Sequence, residues 1–195
     1  MRLVTPAHPT AGTGRAARFL TLATARELGV LLCLSVMFPF LIHIIPVPQD
    51  SRLGVRLLPM FYAPLLAALV GRSGTAFAVA LLAPWLNWAV TSHPAPVGAA
   101  MMTLQLLVFV WAMRAMIARA SARWYLASPA YLACMAVAAL AAAIVPAFIG
   151  GRGAFAWLVQ SVATGLPGLG ILVLINWLVL RYYPPGGSGD GPRFA

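Results

Sequence analysis

Lysine is absent from this chain and carboxylates nearly so: all thirteen basic side chains are arginine, against three acidic ones, for a net charge of +10. Without lysine there is no G-x-x-x-x-G-K-[ST] loop, which excludes ATP hydrolysis by that route. H-E-x-x-H, G-x-S-x-G and paired glutamates are missing too, so no common hydrolase chemistry is legible. The two cysteines, Cys33 and Cys134, sit in apolar runs and predict neither a disulfide nor a metal site. Charged residues make up only 8% and apolar ones 62%. A soluble domain holds about a quarter charged residues, so a soluble fold is excluded as well.

What is present is a series of long apolar runs. About 20 such residues cross a bilayer as a helix. Six candidate spans read as 27–45, 56–71, 75–92, 98–117, 129–149 and 154–182. The expected fold is an all-α integral membrane protein, a six-transmembrane-helix bundle with both ends cytoplasmic. Its parts are a tail over 1–24, one membrane domain over 25–183 and a disordered cytoplasmic tail over 184–195. Residues 1–25 lack an apolar core and a cleavage site, so they do not read as a secretory signal.

The arginines set the sidedness. With the N-terminus inside, the inner segments hold ten arginines and the outer ones three, Arg52, Arg56 and Arg152, as the positive-inside rule requires. Arginines that flank helices in this way also argue against a nucleic-acid partner.

Depth then follows at 1.5 Å per residue. His43 ends the first span on the outer side, and Asn87 lies in the outer half of the third. Gln105 is about 10 Å below the outer surface, and Gln160, Ser161 and Thr164 about 9 to 15 Å. Polar groups are costly in lipid unless they face inward, so this shared depth predicts an outward-opening polar pocket. The plainer alternative is interhelical hydrogen bonding. Pro39, Pro84 and Pro167 fall inside spans, Pro59 and Pro64 interrupt the second, and TGLPGLG at 164–170 reads as the clearest break.

No carboxylate sits at mid-membrane depth; the acids are Glu27, Asp50 and Asp190. A proton relay is therefore not expected, nor is a cofactor or metal. On the first span Ala17, Thr21, Ala25, Gly29 and Cys33 recur every four residues. Small residues at this spacing let another helix come close, either a partner's or one from the same bundle.

An ordered series of motifs runs through the chain: IHIIP at 42–46, LPMFYAPLLAALVGR at 58–72, PWLN at 84–87, TSHP at 91–94, MMTLQ at 101–105 and GLPG at 165–168. Over about residues 25–182 the chain resembles the substrate-binding S component of an energy-coupling-factor (ECF) vitamin transporter. It departs from the family's pattern in PVPQDSRLG at 46–54, Phe61, His93 and Gln105. The resemblance implies capture of a vitamin-like solute at the external face of a bacterial cytoplasmic membrane. It further implies docking on a transmembrane coupling protein driven by two ATPase subunits, with Ala25 and Gly29 as the docking contact. The solute site would be drawn from His43, Arg52, Arg56, Tyr62, Trp85, Asn87, Gln105, Gln160 and Thr164. In it, Arg52 or Arg56 would pair with a carboxylate and Trp85 or Trp88 form an apolar wall. The runner-up is a non-transport scaffold subunit of an envelope complex, and a third reading is an intramembrane enzyme using His43 or His93.

Overall fold

The computed structural model describes residues 22–44 and 53–183. The expected tails up to residue 21 and from 184 onward, together with Arg52, lie outside the described residues. Every element among those residues is helical: α1 (Leu22–Ile44), α2 (Leu53–Leu57), a 3-10 turn (Pro59–Phe61), α3 (Tyr62–Val70), α4 (Ser73–Thr91), α5 (Pro96–Ala120), α6 (Ala127–Ile144), a second 3-10 turn (Pro146–Ile149) and α7 (Ala154–Tyr182).

Five of these, α1, α4, α5, α6 and α7, are long and apolar enough to cross a membrane. The fold is that of a multi-pass helical bundle. The expectation of six such helices is corrected to five, because the second span, 56–71, is broken at Leu58. Proline disfavours the right-handed helical region in the residue before it. Leu58, ahead of Pro59, takes the left-handed conformation at φ 54, ψ 41, which costs an L-residue roughly 1–2 kcal/mol. Local contacts hold it there. The Phe61 N–H donates to the Leu58 carbonyl at 3.0 Å, the Tyr62 hydroxyl donates to the Leu57 carbonyl, and the Leu58 side chain is buried.

Neighbouring helices pack in the order α1, α4, α5, α6, α7. α2 and α3 bridge α1 and α7. α3 takes the centre, packed on α1, α4, α5 and α7, with Tyr62, Ala63, Pro64, Leu65, Ala67 and Ala68 all buried. Its small residues permit contact on nearly every side. Phe61 meets Phe109 and Tyr131 edge-on at 5.3 and 5.4 Å, a favoured aromatic geometry.

Side-chain contacts fix the directions of the helices. Arg72, just before α4, reaches Glu27 and Thr24 near the start of α1, while Asn87 reaches Ser35 further along it. α1 and α4 therefore run parallel. Arg114 at the end of α5 meets the Gly71 carbonyl, and Asn176 in the last turns of α7 meets the connection before α6. Arg26, Arg72, Arg114, Arg119, Arg123 and Arg181 thus gather at one end of the bundle, the basic end, and Arg152 lies at the other.

The TGLPGLG segment does not break its helix: α7 runs unbroken from Ala154 to Tyr182 with Pro167 inside it. Its glycines serve close approach instead. A Cβ at Gly168 would stand 2.6 Å from the Leu57 carbonyl carbon and 2.7 Å from the Arg56 oxygen. At Gly165 it would stand 2.7 Å from the Tyr131 hydroxyl. The break expected in α7 lies in the segment packed against it.

Candidate functional site

Gly168 is fourteen residues from either end of α7, about 21 Å at 1.5 Å per residue. The carbonyl of Arg56 touches that point, at mid-helix depth. Measured from Gly71, α3 and its 3-10 turn lift Arg56 by about 20 Å. Arg56 is therefore not in a surface loop, as its sequence position implied; it lies within the height of the bundle on α2. Its side chain is exposed. Glu27 is the sole carboxylate among the described residues, and it lies at the basic end, so Arg56 has no acidic neighbour among them.

The other expected solute-binding residues fall into three groups. Asn87 is buried and bonded: its Nδ2 donates to the Ser35 and Ala83 carbonyls, both at 3.0 Å. It joins α1 to α4. Tyr62 is likewise buried and commits its hydroxyl to Leu57, which pins the break. Gln105 is buried to 8% exposure and makes no side-chain hydrogen bond among the described residues. Thr164 is half-buried, whereas Gln160 and Trp85 are exposed. Trp85 and Trp88 stack edge-on at 6.2 Å on the outward face of α4. The structure brings Asn87 and Gln105 into the interior and turns Trp85 and Gln160 out of it. The side chain of His43 lies outside what the structure describes.

The densest polar cluster is one that sequence reasoning missed, at the basic end. One oxygen of Glu27 accepts from the Arg72 main-chain N–H at 3.2 Å. The Arg72 guanidinium donates to Thr24 Oγ1 at 2.8 Å. Arg114 donates to the Gly71 carbonyl and is attracted by Glu27. Gly71 cannot carry a side chain here: a Cβ would lie 2.5 Å from the Glu27 oxygen and 2.8 Å from the Ala67 carbonyl. The available signal was the chain's single glutamate, placed at a helix end and free to pair with an arginine from elsewhere. Asn176, fully buried, adds a second tie by donating to the carbonyls of Arg123 and Trp124 at 3.1 and 2.9 Å.

The small-residue stripe has a definite direction. Ala25, Gly29 and Cys33 are all exposed on α1, and a Cβ at Gly29 would meet nothing within 4 Å. α1 is also the spanning helix least covered by the rest of the chain. The stripe does not serve packing inside the bundle.

No protein-family model, curated protein or solved structure matches the chain.

Proposed function

We propose that this chain is the solute-capturing subunit of an ECF-type importer in a bacterial cytoplasmic membrane, with its basic end in the cytoplasm. The observation that carries the reading is the outward-facing stripe of Ala25, Gly29 and Cys33 on the least covered helix. Small side chains turned to lipid stabilise little by themselves; against a second helix they allow close backbone approach. With no P-loop and no carboxylate at mid-membrane depth, the chain needs a partner to energise transport. A coupling protein with two ATPase subunits is that partner.

Arg56 supports the solute half of the proposal. An arginine within the height of a bundle is expensive unless it meets water or an anion, and no carboxylate of the described chain is near it. A carboxylate-bearing solute, held in two parallel bonds, supplies the anion. Gln105, buried and with no side-chain bond among the described residues, is available as a second contact, with His43 and Arg52 as further candidates.

One specific observation favours the scaffold alternative. The two best-formed concavities among the described residues, one lined by Ala122–Tyr125 with Trp177, Leu180 and Arg181 and the other by Leu178, Val179, Tyr182 and Tyr183, both lie at the basic end, away from Arg56 and Gln105. Native mass spectrometry of the chain purified from its own membrane separates the two readings. The importer reading expects an ATPase-bearing module lost in a Gly29→Trp variant, and a small acid lost in Arg56→Ala. Removing a charge-assisted bond of about 1.5–3 kcal/mol corresponds to an affinity loss of roughly ten- to a hundredfold. A membrane partner without ATPases or solute establishes the scaffold instead.

A further inference from the structure

The larger concavity at the basic end has a chemistry of its own. It is a shallow, open groove of about 550 Å³ between the α5–α6 connection and the last turns of α7. Arg123, Trp124 and Tyr125 line one side; Trp177 and Arg181 line the other. Arg123 Nη1 donates to the Tyr125 hydroxyl at 3.1 Å. The Arg181 guanidinium stands 5.7 Å from the centre of the Trp177 ring, within cation–π range. Trp124 and Tyr125 meet edge-on at 5.6 Å. Beneath them, the buried Asn176 holds the Arg123 and Trp124 carbonyls, so the wall bearing these side chains is fixed to α7 rather than free in a loop.

Two guanidiniums line this groove, and no carboxylate among the described residues does. Glu27, the one acid among the described residues, is engaged at the Arg72 backbone between α1 and α4. The groove also sits where spanning helices end. At that level tryptophan and tyrosine occupy the headgroup layer, and basic pockets between helices take up anionic headgroups. Arginine in particular presents a fork that matches a phosphate.

We propose that this groove binds the headgroup of an anionic phospholipid from the leaflet at the basic end. The phosphodiester lies between Arg123 and Arg181, and Trp124 and Trp177 flank the glycerol and the first acyl carbons. The aromatic walls commit the site to a lipid; a soluble phosphate would leave them unused. The proposal does not depend on the importer reading.

The test is native mass spectrometry of the full chain released from nanodiscs of equal phosphatidylglycerol and phosphatidylcholine. The unmodified chain is expected to retain phosphatidylglycerol in clear excess, an arm that needs no variant to fold. Arg123→Gln with Arg181→Gln is expected to lower that retention about 25-fold, roughly fivefold per arginine. Arg119→Gln, at the same end but outside the groove, leaves it unchanged. Equal retention of the two lipids, full retention in the double variant, or an equal loss in Arg119→Gln overturns the site. Release of the lipid by millimolar inorganic phosphate assigns the groove to a soluble anion and overturns it too.

Discussion

The two ends of the bundle are built on different principles. At the basic end Glu27, Thr24, Gly71, Arg72 and Arg114 bond across α1, α4 and α5, and Asn176 ties α7 to the turn before α6. The core helix α3 fills the space between. Beyond the break at Leu58 the character changes. A small second core of Met101, Ala138, Ala142 and Ile149 holds α5, α6 and the second 3-10 turn, Asn87 ties α1 to α4, and Gln105 is buried with no side-chain bond among the described residues. Arginines at one membrane face usually signal topology. Here Arg72 and Arg114 also staple helices, and the buried side-chain atoms left without a partner among the described residues, Thr75 Oγ1, Arg114 Nε and Asn176 Oδ1, lie at this end as well; in the opposite half Gln105 and Gln160 tie no helices together.

Substituting the two glycines that mark these ends should give the largest contrast. Gly71→Ala drives a Cβ into the Glu27 carboxylate and the Ala67 carbonyl. Overpacking of this kind costs about 1–3 kcal/mol, and the displaced charged hydrogen bond about 1.5–3 kcal/mol more. Gly153→Ala, at the start of α7 with open space around it, should stay within about 0.5 kcal/mol of wild type. Thermal unfolding in detergent, followed by tryptophan fluorescence, measures both. Equal shifts would remove the distinction between the ends.

Glu27→Ala comes next. It leaves the Arg72 N–H and the Arg114 guanidinium without their anion, at an expected cost of about 1.5–3 kcal/mol. A double-mutant cycle with Arg114→Ala should show coupling, because the residues share one cluster. Asn87→Ala, the tie in the other half, should cost less: hydrogen bonds between membrane helices average about 0.6 kcal/mol and reach about 1.7.

The same contrast separates what was legible in the sequence from what was not. The third, fourth and sixth spans were read close to α4, α5 and α7, because long apolar runs with proline or arginine at their ends leave little choice. The second span was not, since Leu58 adopts a conformation that the pair Leu-Pro permits but does not demand. In α7 the reading inverted: glycines beside a proline look like a break, yet their role is to admit the backbone of Arg56 and Leu57, and that partner is over a hundred residues away. For the same reason Glu27 looked like a helix-end charge until Gly71 and Arg72 stood beside it. The shared face of Gln160 and Thr164 was readable from their spacing. Which face of α7 turns inward was not, because Gly165 and Gly168 decide it by what they touch.

The smallest predicted effects fall on the two glutamines, and they sharpen the comparison most. Gln160→Leu changes an exposed side chain on α7 and should leave stability within about 0.5 kcal/mol. Gln105→Leu acts on a buried amide that makes no bond among the described residues. Its amide atoms are not among the fully buried side-chain atoms that lack a partner, so the penalty of about 1–3 kcal/mol for an unsatisfied buried group does not attach to them; an apolar side chain of similar size should leave the unfolding temperature unchanged. A polar residue in the interior that adds nothing to stability is kept for function more readily than for structure. If Gln105 waits for a solute, Gln105→Leu keeps its stability and loses retention of the copurifying acid, while Gln160→Leu changes neither. If Gln105→Leu unfolds at a lower temperature, the amide is a structural tie after all, and the half of the bundle beyond Leu58 is as tightly bound as the basic end.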